Sequence, residues 1–147
     1  MTTRDELSEI KEETAGDHTE LMRAALEGDT ATVRAHLARG AEVNAKDDKG
    51  RTALMFAVIN MHADIAGELL EHGADVNATA NDGATALMLA ASSGDTASVR
   101  ALVRKGADPS GRYIRTGETA LMLAKKKNHD DIVNLLSNNR TQTASGA

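Results

Sequence analysis

The chain has 147 residues, a formal net charge of -5, no cysteine, no tryptophan, one phenylalanine and one tyrosine. Without cysteine there are no disulfides, thiolate metal sites or cysteine nucleophiles, and so few rings would fill a conventional globular core poorly. No apolar run approaches the roughly 20 residues of a membrane span and the polar start lacks a signal-peptide stretch, so a soluble cytoplasmic protein without membrane contact is expected.

Charge is distributed unevenly. Residues 1–17 carry two basic and six acidic side chains, residues 18–99 carry six and twelve, and residues 100–147 reverse the sign with nine and four. Such asymmetry steers a charged partner toward one end without deciding the fold. Residues 1–16 form an acidic N-terminal extension, read either as one helix over 3–13 that docks Leu7 and Ile10 or as a disordered segment.

From residue 17 the chain repeats with a period of 33. "TALM" begins at Thr52, Thr85 and Thr119, and "GA(D/E)" begins at Gly40, Gly73 and Gly106. The first unit, 17–49, is the least regular, with "TELMRA" from Thr19 and helices expected over about 19–26 and 30–38. The second, 50–82, shows apolar residues at helical spacing in two short segments, Leu54, Ala57 and Val58, then Ile65, Leu69 and Leu70. Each segment is too short to be stable alone in water, so neighbouring units must supply the burial, and Ala57, Ala90 and Ala124 at one repeated position permit close approach. The third unit spans 83–116 and the fourth 117–138, and 139–147 is expected as a flexible tail. Thr52, Thr85 and Thr119 stand where a hydroxyl caps the first helix; Gly40, Gly73 and Gly106 stand where a left-handed residue ends the second. The polar stretches between units, such as "NAKDDKG", read as projecting turns.

This pattern resembles the ankyrin repeat. Its T-P-L-H-x-A signature stands here as "TALMFA" and twice as "TALMLA", with Ala in place of Pro and Met in place of His. The resemblance covers about residues 17–138 and implies an all-α solenoid of four helix–turn–helix units joined by β-hairpin-like fingers. It also implies a concave face, made of finger tips and first helices, that binds a partner protein.

The departures from the pattern are informative. One extra residue lies in "PSGRYIRTG", the finger that holds the only tyrosine beside Arg112, Ile114 and Arg115. Met61 replaces the glycine found at 28 and 94, and Asn128 stands at the same place; a left-handed Met costs roughly 1–2 kcal/mol relative to Gly. Met22, Met55, Met88 and Met122 form a column expected in the core, with loosened fingers the expected consequence of losing the family's His. Lys125, Lys126 and Lys127 replace inner-repeat residues, as an outermost repeat requires of its open side.

Catalysis is not expected. His18, His36, His62, His72 and His129 lack metal-ligand spacing, no phosphate-binding or nucleophile motif is present, and no cofactor is expected. The expected function is a non-enzymatic protein–protein interaction module, monomeric on its own, acting as inhibitor, scaffold or protective partner of an enzyme. The alternative is binding of an anionic surface or nucleic acid through the basic fourth unit, opposed by the acidic total and the single ring available for stacking. Positions that differ between units mark the partner-binding residues: Asp48, Lys49, Arg51, Ile59, Asn60, Met61, Asn81, Asp82, Ala84, Ser92, Ser93, Arg112, Tyr113, Ile114, Arg115, Glu118, Lys126 and Lys127. Among them Ile59 and Tyr113 are expected as exposed apolar anchors.

Overall fold

Three threonines decide where first helices begin. Thr52, Thr85 and Thr119 hold extended backbone, and their side chains accept hydrogen bonds from the N–H groups of Met55, Met88 and Met122, satisfying donors that a helix start leaves open. The computed structural model describes residues 20–146, with side chains through residue 138; the expected extension over 1–16 lies outside the described residues.

Four helix pairs follow in order: α1 (20–27) with α2 (Thr30–Ala38), α3 (Ala53–Ile59) with α4 (Ala63–Glu71), α5 (Ala86–Ser93) with α6 (Thr96–Arg104), and α7 (Ala120–Lys126) with α8 (Asp130–Gly146). No strand is present among the described residues. The helical backbone of α8 continues through most of 139–147, with no glycine or proline to interrupt it before Gly146.

Within each pair the turn closes in the same way. The N–H groups of Asp29, His62, Asp95 and His129 donate to the carbonyls of Ala24, Ala57, Ala90 and Ala124 over 2.8–3.0 Å. Those four alanines are completely buried, which lets successive first helices approach without a side chain between them. Second helices end at Gly40, Gly73 and Gly106, all with positive φ. The residue after each glycine donates back to His36, Leu69 or Leu102, the bonding that ends helices on a left-handed residue.

The core runs without a break from unit to unit. Leu21, Leu54 and Leu87 on first helices meet Val33, Ile65, Leu69, Val99, Leu102 and Ile132 on second helices, all essentially removed from solvent. Since α1 to α7 each span only about two turns, this burial between neighbours is what stabilises them.

The fingers 41–51, 74–84 and 107–118 link one unit to the next. Each is closed near its tip by one backbone pair, Asp47 N–H to Arg51 (2.9 Å), Ala80 N–H to Ala84 (2.8 Å) and Tyr113 N–H to Glu118 (3.0 Å). The closing pair is four residues apart in the first two fingers and five in the third, so the extra residue sits in the tip turn between Tyr113 and Glu118. The tips are also tied together, with Asn81 N–H donating to Lys49 O and Ile114 N–H to Asp82 O, each over 2.9 Å. At the finger bases, Asn44 donates to Gly73 O (3.0 Å) while accepting from Asp75 N–H (2.6 Å). Asn77 repeats this with Gly106 O (3.3 Å) and Asp108 N–H (2.7 Å). The loosening expected from the loss of His is therefore not seen, because backbone and asparagine bonds hold the fingers.

The methionine column corrects a second expectation. Met22, Met55 and Met88 are 6%, 0% and 1% exposed, whereas Met122 is 46% exposed. Met55 is covered by Ala78, Ala80 and Ala84 of the next finger. Met88 lies below Gly111 of the finger after it. No following finger covers Met122 among the described residues. Lys125 stands where Ala91 is buried, and is exposed.

Candidate functional site

The face formed by finger tips and first helices carries a groove of about 360 Å³. Lys49 and Arg51 of the first finger and Ala80, Asn81, Asp82 and Ala84 of the second wall it. Met55 and Ile59 of α3 and Leu89 of α5 complete the lining. Its surface is mostly apolar. The reason lies in the second finger, which has alanines at 80 and 84. The corresponding places hold Asp47 and Arg51 in the first finger and Tyr113 and Glu118 in the third. Small side chains at these two positions leave open the space that larger ones fill elsewhere.

The first finger is rigidly built around Asp47. Its carboxylate accepts from Lys49 N–H (3.0 Å), Arg51 N–H (2.8 Å) and Arg51 Nε (2.8 Å), and pairs with Arg51 Nη2 at 2.7 Å. Burial pushes the Asp47 carboxyl up, but the Arg51 guanidinium and the N–H groups of Arg51 and Lys49 outweigh it and hold it below the ordinary carboxylate range. The guanidinium also lies 4.8 Å from the centre of the Phe56 ring, a distance at which a cation is attracted to a ring face. Arg51 is thereby fixed in place, while Lys49 is exposed.

Of the expected site residues, Lys49, Arg51, Ile59, Asn81 and Asp82 come together in the groove. Asp48 is beside them at the tip, where its carbonyl accepts from Asn81 Nδ2 over 3.1 Å. Asn60 and Ser93 are engaged within the fold, donating to Leu26 O (2.8 Å) and Ile59 O (3.3 Å) of the preceding unit. Ser92 is half-buried, and its carbonyl lies 3.2 Å from His129 Nε2. Farther along the same face, Arg112 donates to Gly117 O over 3.0 Å and Lys126 pairs with Glu118 at 3.3 Å. Arg115 and Lys127 are exposed, and neither forms an ion pair among the described residues. Lys126 and Lys127 occupy the repeat positions of Ile59 and Asn60, and Arg115 that of Lys49 and Asp82. Repeat register thus puts these cations on the row that carries the groove.

The apolar anchors differ from expectation. Tyr113 is half-buried and packs against the core, because it occupies the inward position of Ala80. Burial, followed by the charges of Asp82 and Glu118, pushes its hydroxyl up from the usual value near 10. Its neighbour Ile114 is the exposed one, at 74%. Ile59 is likewise half-buried, as a wall of the groove. Ala84, also expected on this face, lines the groove too, whereas Met55, Ala80 and Leu89 complete it and were absent from the expected set. The signal for them was the pair of alanines in one finger where the other fingers have large polar or aromatic residues.

Met61 has φ 62° and is 53% exposed, at the turn where Gly28 and Gly94 have φ 82° and 81°. The strain expected there is present. What differs is the following unit. A Cβ on Gly28 or Gly94 would stand 2.6 or 2.7 Å from Cε1 of His62 or His129. After Met61 comes a unit with Asp95 at that place, so no imidazole stands over the turn and a side chain has room.

Residues 21–113 match the profile of ankyrin repeats in three copies, and residues 116–142 match that of a further ankyrin repeat. The chain belongs to the ankyrin-repeat family. No curated protein matches the chain. The groove therefore lies between the fingers and first helices of ankyrin repeats, on the face that the resemblance assigned to partner contact. Among the described residues of these repeats, no group of three or more His, Asp or Glu could hold a metal ion. No helix among them is long and apolar enough to cross a membrane. His62 and His129, the pair that shares a repeat position, serve packing, with Nε2 of each 3.1 and 3.2 Å from the carbonyls of Leu26 and Ser92.

Proposed function

We propose that this ankyrin-repeat chain is a non-enzymatic binding module that holds a partner protein against its finger and first-helix face. The observation that carries this reading is the mostly apolar groove between the first two fingers, bounded by Lys49, Asp82 and Ile59. An apolar depression with charged rims has the anatomy of a protein interface, in which a few desolvated anchors supply most of the affinity and rim charges set orientation and rate. Asp48, Asn81, Arg115, Lys126 and Lys127 extend the same surface. The single tyrosine is packed into the fold, so the basic fourth unit has no ring with which to stack bases, and its charge serves a protein partner.

Capture from a lysate of the source cells tests this reading. A protein retained by the unaltered chain should be lost with Ile59→Asp or Lys49→Glu and kept with Arg100→Glu, a substitution at an exposed position of α6. Retention of the same protein by both groove variants, with loss in Arg100→Glu, would move the interface to the second-helix face.

A further inference from the structure

The groove and the charges beside it describe the partner's chemistry. We infer, resting on the binding face proposed above, that the partner presents a segment with one apolar side chain followed or preceded at a short distance by acidic residues. The apolar side chain enters the groove between Ala80, Ala84, Met55, Ile59 and Leu89. The acidic residues lie along the third finger and α7.

Size supports the first half. At about 360 Å³, the groove stands at the small end of the roughly 300–1,000 Å³ typical of small-molecule sites. Its walls offer apolar contact and few polar groups. Asp82 Oδ1 accepts from Ala84 N–H over 3.0 Å and Asn81 donates to Asp48 O, which leaves exposed Lys49 as the charge at the rim. A ligand that needed many directed hydrogen bonds would find few groups to make them, whereas a side chain such as Leu or Phe needs none.

Charge supports the second half. The row of positions that lines the groove at Lys49, Ile59 and Asp82 continues as Arg115 in the third finger and as Lys126 in the last unit, with Lys127 beside it. Lys126 is shared with Glu118, while Arg115 and Lys127 have no anionic partner among the described residues. Along the first helices, Ser92 and Ser93, which are neutral, lie between the groove and Lys126 and Lys127, while along the fingers Arg115 follows Asp82 of the groove rim. A segment crossing along the first helices therefore meets an apolar pocket, then neutral surface, then positive charge. Successive layers are about 10 Å apart, so the cations lie about one to two layers from the anchor. At about 3.3 Å per extended residue, that is roughly three to six positions along the segment.

Selection from a random-peptide display library, with this protein as bait, tests the inference. Enriched peptides should share one Leu, Ile, Met or Phe with Asp or Glu displaced by roughly three to six positions. Synthetic copies should bind about tenfold more weakly to Arg115→Glu/Lys127→Glu. They should lose binding to Ala84→Leu, which fills the groove, and to Ile59→Asp, which keeps the assay decisive if Ala84→Leu does not fold. Enriched peptides that lack acidic residues, or are basic, yet still fail on Ile59→Asp would overturn the inference and leave the binding face intact. Peptides indifferent to all of these variants would overturn both. Absence of any enriched family would overturn the inference alone, since a folded surface could still be the partner.

Discussion

The imidazole of His129 lies where a side chain at Gly94 would have to be, with Cε1 2.7 Å from the Cβ that an alanine would add. Gly94 also has φ 81°, so two separate costs oppose substitution. Gly94→Ala should lower stability by at least about 2 kcal/mol, from left-handed strain and displacement of the ring. Met61 faces only the first cost. Met61→Gly should therefore raise stability by about 1 kcal/mol, the relieved strain less the greater chain entropy of glycine, and raise Tm by a few degrees. Urea denaturation of both variants beside the unaltered protein checks the pair; destabilisation by Met61→Gly would contradict the strain assignment.

The methionine column yields a paired prediction. Met88 is buried beneath a finger and Met122 is open, although both follow the same capping threonine position. Met88→Ala should cost roughly 2–5 kcal/mol, and Met122→Ala should stay within about 0.5 kcal/mol. Equal losses, measured by the same denaturation, would show that Met122 is covered in solution.

Thr85 caps α5 in the middle of the array and is buried at 7% exposure. Its replacement by alanine leaves the N–H of Met88 without its partner and should cost about 0.5–2 kcal/mol. Thr85→Ser keeps the acceptor oxygen and should recover most of that loss. Equal destabilisation by both substitutions would assign the effect to the lost methyl group.

Tyr113 gives a pH signature. Burial and the nearby Asp82 and Glu118 raise its folded pKa above the usual value near 10, so folding favours the neutral phenol. Its contribution to stability is fully present below the unfolded pKa and is lost as pH rises through the folded value. As the only tyrosine, it can be followed alone by phenolate absorbance. The titration should be displaced to higher pH in the folded protein, and Tyr113→Phe should remove this part of the alkaline loss of stability. A midpoint at or below that of the denatured chain would contradict the burial of the ring.

Much of the fold was legible because it is encoded one unit at a time. Threonine caps, terminating glycines and the buried alanines at 57, 90 and 124 are local requirements that recur every 33 residues, so one unit reads the others. The extra residue beside Tyr113 was legible for the same reason. The groove was less so, since it exists only where Ala80 and Ala84 of one finger face Met55 and Leu89 on helices of different units. The burial of Tyr113 was hidden by the assumption that a finger residue is an exposed residue. Alternation along a finger turns Tyr113 inward at Ala80's place and leaves Ile114 outside. The glycine rule at 28 and 94 likewise depends on histidines one unit later, which is why Met61, followed by Asp95, escapes it.

A partner held by the finger and first-helix face must lie against residues 59 and 81 and away from residue 100. A photo-activatable phenylalanine placed singly at positions 59, 81 and 100, irradiated in source-cell lysate, tests this placement most directly. One protein should be covalently trapped from positions 59 and 81 and not from 100. Trapping of that protein from 100 alone would contradict it.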